Sequence, residues 1–222
     1  MNKIIIKVIT GLFVVLMAPT SANAGGSSYE VTITNLTQAE KFTPILVASS
    51  KKSVKLFKLG DPASSELTDI AEGGDISGMT ALLLANPDVV DVANSAALLP
   101  PHGLLEPGDS VTVTVSAMGA KYISLASMLI PTNDAFIALN GVRVKGKENV
   151  FRVPAYDAGT ETNDEDCANI PGPDCGGVPF SPLDSGEGYV YVHGGIHGIG
   201  DLEPEIYDWR NPVAHVKVVK VQ

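Results

Sequence analysis

The chain has 222 residues, with 15 Lys and Arg against 25 Asp and Glu, a formal charge of −10 and 45% apolar residues. That apolar share excludes disorder as a whole-chain answer and suits one domain of ordinary size or two small ones. The acid excess argues against nucleic acid and anionic membrane surfaces as partners, because both would be repelled, and it permits a cation.

Residues 1–24 read as an export signal. Lys3 and Lys7 precede or flank an apolar run from Ile4 to Met17, and the segment closes on the small-x-small pattern of Ala22, Asn23 and Ala24. The run is too short and wrongly flanked for a stable membrane span, an uncleaved anchor being the other reading. Cleavage leaves a single domain, residues 25–222. That domain has 198 residues, 13 of them basic and 25 acidic, for a charge of −12. No other apolar run is long enough to cross a bilayer.

In the mature chain, residues 29–36 (YEVTITNL) alternate apolar and polar with period two and predict a strand with one buried face. Residues 44–48 (PILVA) predict a second strand. Residues 67–71 and 79–84 predict helices, and 87–92 a further helical turn after Asn86 and Pro87. Pro107, Gly108 and Asp109 make a turn, and 110–116 (SVTVTVS) is the clearest alternating strand. Residues 122–130 (YISLASMLI) are continuously apolar, as a central strand buried on both sides would be. The short connection between these two predicts an antiparallel hairpin. Residues 136–139, 150–153, 189–193 and 213–221 predict the remaining strands, the last opened by Pro212. Many short strands without a βαβ rhythm predict an all-β fold, an antiparallel β-sandwich whose helical insert at 62–96 covers an edge or one end.

Charge is unevenly spread. Lys51, Lys52, Lys55 and Lys58 cluster, reading either as a solvated face with an apolar back or as a dock for an acidic partner. From Val153 to Trp209 there are twelve Asp and Glu and no Lys or Arg. These acids either form a solvated face or hold a divalent cation. Cys167 and Cys175 lie inside the loosest stretch, residues 157–188. In an exported chain they suggest a disulfide, which by chain entropy would contribute about 2.5 kcal/mol. Free thiols or metal ligands are the alternative, without the CxxC spacing of a zinc site.

Residues 193–201 (HGGIHGIGD) place His193, His197 and Asp201 four apart, on one side of an extended chain, which would suit a transition metal. The competing reading is a glycine-rich turn whose histidines satisfy backbone groups. Neither a Gly-x-Ser-x-Gly elbow nor a P-loop is present. Trp209 reads as a core residue beside the last strand rather than a ligand platform. Asn35 opens a glycosylation sequon.

Two segments carry a resemblance. Residues 128–136 read MLIPTNDAF and residues 154–160 read PAYDAGT. Together they resemble the signature segments of the spondin N-terminal domain family, and 211–216 (NPVAHV) is similar to that family's last strand. The resemblance implies an antiparallel β-sandwich like the calcium-dependent phospholipid-binding modules, with Ca2+ at one end. It implies Asp134 and Asp157 as calcium ligands, and Glu161 could add an oxygen where the Gly159 turn lets the chain double back. The family's further carboxylate has no counterpart in SVTVTVS, where Asp109 stands only at the start; Asn133, backbone carbonyls, water or Glu187 would complete the shell. The expected function is an exported, calcium-binding adhesion or interaction module, not an enzyme, with a protein or glycan as partner. The alternative is a metal-dependent hydrolase using His193, His197 and Asp201 or the acidic end loops.

Overall fold

The computed structural model describes residues 26–99, 101, 103–181 and 186–222. The expected signal segment 1–24, Pro100 and His102 of the PPHG stretch at 100–103, which reads as a turn, and Asp184 of the acidic window lie outside the described residues. Two antiparallel sheets face one another, as the alternating patterns require. The first contains β1 (Ser28–Asn35), β5 (Ser110–Ser116), β8 (Glu148–Val153) and β11 (Ala214–Val221), in the order β5-β1-β11-β8. Its alternation is strict. Val31, Ile33, Val111, Val113, Val115, Val216 and Val218 point into the core. On the outer face Thr32 and Thr112 share a hydroxyl hydrogen bond of 2.8 Å, and Thr34 and Ser110 one of 2.7 Å. Such cross-strand pairs fix register on the solvent side.

The second sheet contains β3 (Leu46–Ser50), β4 (Val89–Asn94), β6 (Tyr122–Ile130), β7 (Ala135–Arg143), β9 (Ala155–Asp157) and β10 (Tyr191–Val192), in the order β10-β9-β7-β6-β3-β4. A two-residue β2 (Lys41–Phe42) also pairs with β6. The central strand β6 is buried along nearly its whole length. One of its faces meets the first sheet. The other is covered by α1 (Ser65–Gly73) and α2 (Ser77–Leu84), whose Leu67, Ile70, Met79 and Leu83 pack on Leu46, Ala126, Phe136 and Ala138. Ser64 caps α1 by accepting from the Leu67 N–H at 3.3 Å.

Three local expectations change. The helical insert covers the outer face of the second sheet rather than an edge or end, because the two-sided apolar pattern of β6 needs a second layer. Residues 89–94 form an edge strand on β3 and not a helical turn; the β-branched Val89, Val90 and Val92 favour the pleated surface. Strands β5 and β6 do not form a hairpin: β5 pairs with β1 and β6 with β3 and β7. Their burial patterns differ for that reason, one face against two, so residues 117–121 cross between sheets.

The long excursion between β9 and β11 folds over one end of the sandwich. Cys167 and Cys175 are disulfide-bonded and pack against the main core. A short helix α3 (Pro204–Tyr207) precedes Trp209, which is buried in that core as expected.

Candidate metal centre at the end of the sandwich

β6 ends at Ile130, and the chain turns through Pro131 and Asn133 before β7 begins at Ala135. The β7–β9 register sets Ala135 opposite Asp157. Two strand ends therefore bring Asp134 and Asp157 together, and both are fully buried. The Asp134 Oδ2 accepts from the Thr160 N–H at 2.7 Å, the Thr160 hydroxyl at 3.2 Å and the Glu161 N–H at 3.1 Å. Its Oδ1 is buried without a hydrogen-bond partner. The Asp157 Oδ1 accepts from the Gly159 N–H at 2.7 Å, and its Oδ2 from the Asn163 amide at 2.7 Å.

Gly159 makes this loop possible. It has φ +68°, and a Cβ there would lie 2.3 Å from the Tyr189 carbonyl oxygen. Only a residue without a side chain adopts that conformation at that separation. The reversal returns Thr160 and Glu161 to Asp134. Glu161, also buried, gives Asp134 its N–H, while its own Oε1 accepts from the Ser181 N–H at 2.7 Å. The structure thus joins Asp134 with Asp157, and Glu161 meets the pair through its backbone. Asp109 is exposed at the start of β5, and Glu187 is exposed near the Tyr191 hydroxyl, whose pKa both it and Asp157 raise after burial itself.

The electrostatics follow from burial. Desolvation, and then the Asp157 charge, push the Asp134 carboxyl up to about 8, against the pull of its three donors. Asp157 is likewise raised by desolvation, opposed by hydrogen bonds with Asn163, Tyr191, Gly159 and, least, the Asp134 carboxyl itself. Among the described residues neither carboxyl has a Lys or Arg within ion-pair distance. His193 lies 3.6 Å from the Asp157 Oδ2 and does not offset it. Its Nδ1 accepts from the Gly195 N–H at 3.0 Å, so Nε2 carries the proton and meets the Asn163 carbonyl oxygen at 2.9 Å. Burial lowers the His193 pKa to about 4, so the ring is neutral at pH 7.

Two buried carboxyls with one orphaned oxygen can share a proton or hold a cation. The oxygen chemistry of the pair fits a hard cation. It does not fit zinc, since both His193 nitrogens are engaged and the cysteines are oxidised. Among the described residues no group of three or more His, Cys, Asp or Glu is placed to hold a metal. A cation at the pair would take its further oxygens from main-chain carbonyls, amides or water.

The His193, His197 and Asp201 set does not converge. His193 is buried against Trp209, ring centres 5.0 Å apart, whereas His197 is 63% exposed. Asp201 accepts from the Cys167 N–H at 3.0 Å. The glycine-rich stretch is a turn, and Glu165 organises it. The buried Glu165 carboxylate accepts from the N–H groups of His197, Gly198 and Ile199 at 2.6, 2.7 and 3.0 Å. Glu165 and Asn163 were not singled out from sequence, and no spacing or motif marked either. The acidic window therefore divides: Asp157, Glu161 and Glu165 are buried, while Asp166, Asp174, Glu187, Asp201, Glu203 and Glu205 face water.

The Lys51–Lys58 stretch is a solvated face with an apolar back. Lys51 pairs with Asp88 at 2.8 Å and Lys58 with Asp61 at 2.9 Å, while Val54 and Leu56 are buried.

A family model described as Spondin_N matches residues 32–165, more than half the chain. The match runs from β1 through both carboxylate segments and ends at Glu165, before the glycine-rich turn and the closing strand. No curated protein matches the chain.

Proposed function

The chain belongs to the Spondin_N family, and from that premise we propose that it is an exported, non-enzymatic interaction module whose end loops are ordered by Ca2+ at Asp134 and Asp157. The single observation that carries the metal is the Asp134 Oδ1. It is buried without a partner, beside a second buried carboxyl and with no cationic side chain in reach. Leaving such an oxygen unpaired costs about 1–3 kcal/mol, more if charged. A calcium ion would satisfy it and turn carboxylate repulsion into attraction.

The chain's own residues do the rest. Thr160 and Glu161 hold the Asp134 Oδ2, which leaves Oδ1 as the free ligand atom. Asn163 holds Asp157 and, through His193, ties it to the loop that Glu165 clasps. Calcium would stiffen both loops at once and shape one surface for a protein or glycan. Glu161, whose Oε1 accepts from the Ser181 N–H, would add a further oxygen. The signal at 1–24, with the domain at 25–222, would deliver the chain outside the cytoplasm. The family and the disulfide point the same way. Among the described residues no helix is long and apolar enough to cross a membrane.

Thermal melts with added Ca2+ and with excess chelator test this reading. Calcium is expected to raise the Tm of the wild-type protein and leave Asp134→Asn unmoved. Equal melts for the wild type in both conditions would remove the metal from the account.

A further inference from the structure

Charge in this molecule is separated along the strands. β6 and β7 run antiparallel between two poles, and nine residues of strand span about 30 Å. Asp134 and the acidic loops lie at one pole. The other is basic. Lys121 precedes β6, Arg143 ends β7, and Lys145 and Lys147 form the turn into β8. Backbone bonds hold these positions on one rim: Lys121 N–H to the Ser50 carbonyl at 3.2 Å, Val144 N–H to the Lys121 carbonyl at 2.9 Å, and Lys220 N–H to the Lys147 carbonyl at 2.8 Å. Lys52 lies two residues beyond the end of β3.

Lys52, Lys121, Arg143, Lys145, Lys147 and Lys220 are all exposed, and none has an ion pair among the described residues. The acids on this side are largely engaged. Asp88 pairs with Lys51, Glu148 lies 3.5 Å from Lys217, and Asp91 accepts from the Val92 and Ser116 N–H groups. Glu30 stands exposed on β1. Lys147 and Lys220 also line a cleft of about 800 Å³ with Ser27, Gly146, Val221 and Gln222.

The net charge of the whole chain repels polyanions only as an average. Salt screens exposed charges within about 8–10 Å, so the acidic pole is not felt at the basic rim. We propose that this rim docks a linear acidic polysaccharide, whose carboxylates meet the lysines in succession and one of whose sugars enters the cleft. The surface chemistry favours that partner over other polyanions. Phe180 and Tyr189, the exposed large aromatics among the described residues, lie off the rim, and Tyr122 beside Lys121 is half-buried, which leaves little ring surface to stack on the bases of a single strand. The exposed apolar side chains beside the rim, Met118 on the adjoining connection and Val150 on β8, are too few to anchor in a bilayer. The site is independent of the calcium pair at the far pole.

The test uses the purified mature protein on immobilised alginate, a polyuronate, at about 0.1 M ionic strength, where the screening length is about 10 Å. The wild type is expected to be retained, eluted by NaCl and competed by free oligouronate but not by neutral dextran. Reversing two contacting charges in Lys145→Glu/Lys147→Glu should weaken binding about tenfold or more. Lys58→Glu, exposed but off the rim, should bind as wild type. Tm values confirm folding, and Lys121→Glu/Lys220→Glu provides a second rim variant. Failure of the wild type to bind, unchanged binding of both rim variants, or equal or tighter binding to duplex DNA or phosphatidylserine vesicles would overturn the proposal.

Discussion

Replacing Asp134 by Asn should stabilise the calcium-free protein and abolish its response to calcium. The carboxyl has its pKa raised from 3.8 to about 8, so the folded state holds a proton that the unfolded chain has released at pH 7. At about 1.4 kcal/mol per pH unit, the interval between 3.8 and 7 costs the folded state about 4 kcal/mol at most. The sign is that of a raised acid: stability is fully present below about pH 4 and lost as pH rises through about 8. Asn carries no such cost. Its carbonyl oxygen can accept from Thr160 and Glu161, and its NH2 stands where the orphaned Oδ1 faced Asp157. In chelator at pH 7 the variant should therefore melt higher, by up to roughly 10 °C for a domain of this size. The advantage should shrink steadily towards pH 4. With calcium at 100 times its Kd the wild type gains about 2.7 kcal/mol and the variant nothing, so their order narrows or reverses. Scanning calorimetry in chelator and in calcium, from pH 5 to 8, reads both effects. A variant less stable than wild type in chelator at every pH would refute the reasoning, because Asp134 would then be an anion well served by its donors.

Other outcomes follow from the same geometry. Gly159→Ala should destabilise the protein by about 3 kcal/mol or more in urea, since a Cβ meets the Tyr189 backbone at a positive φ. Glu165→Gln removes charge-assisted bonds from three amides and should cost about 1–3 kcal/mol. Hydrogen exchange would then accelerate at His197, Gly198 and Ile199 while the β1–β11 ladder stays protected. His193 has its pKa lowered to about 4, so its contribution is present above pH 6.5 and lost as pH falls from there towards 4. His193→Gln should flatten that acid limb of the stability profile.

The layers of this fold were legible because burial is written as periodicity. Strict alternation in SVTVTVS marked a sheet with one wet face, and the unbroken YISLASMLI marked a strand covered twice. Their difference also carried the information that they lie in separate sheets, which a short connection of five residues obscured. The strand at 89–94 was hidden by Pro87, which opens either a helix or a turn, and only pairing with β3 decides between them. At the site, Asp134 and Asp157 stood out through their motifs, and the register of Ala135 with Asp157 brings them together. Glu165 left no local trace. Its partners are backbone amides 32 to 34 residues away, and main-chain groups are the same at every position of a sequence. The histidines illustrate the converse: regular spacing of His193, His197 and Asp201 suggested convergence, but the glycines between them turn the chain and separate the side chains.

The central claim is that Asp134 and Asp157 hold calcium, and a crystal structure grown in millimolar calcium tests it most directly. The expected result is one strong peak within about 2.3–2.6 Å of the Asp134 Oδ1 and of an Asp157 oxygen, surrounded by six to eight oxygens, and absent from crystals of Asp134→Asn. A calcium-soaked crystal in which the two carboxyls touch through a shared proton, with no ion beside the Asp134 Oδ1, would contradict it.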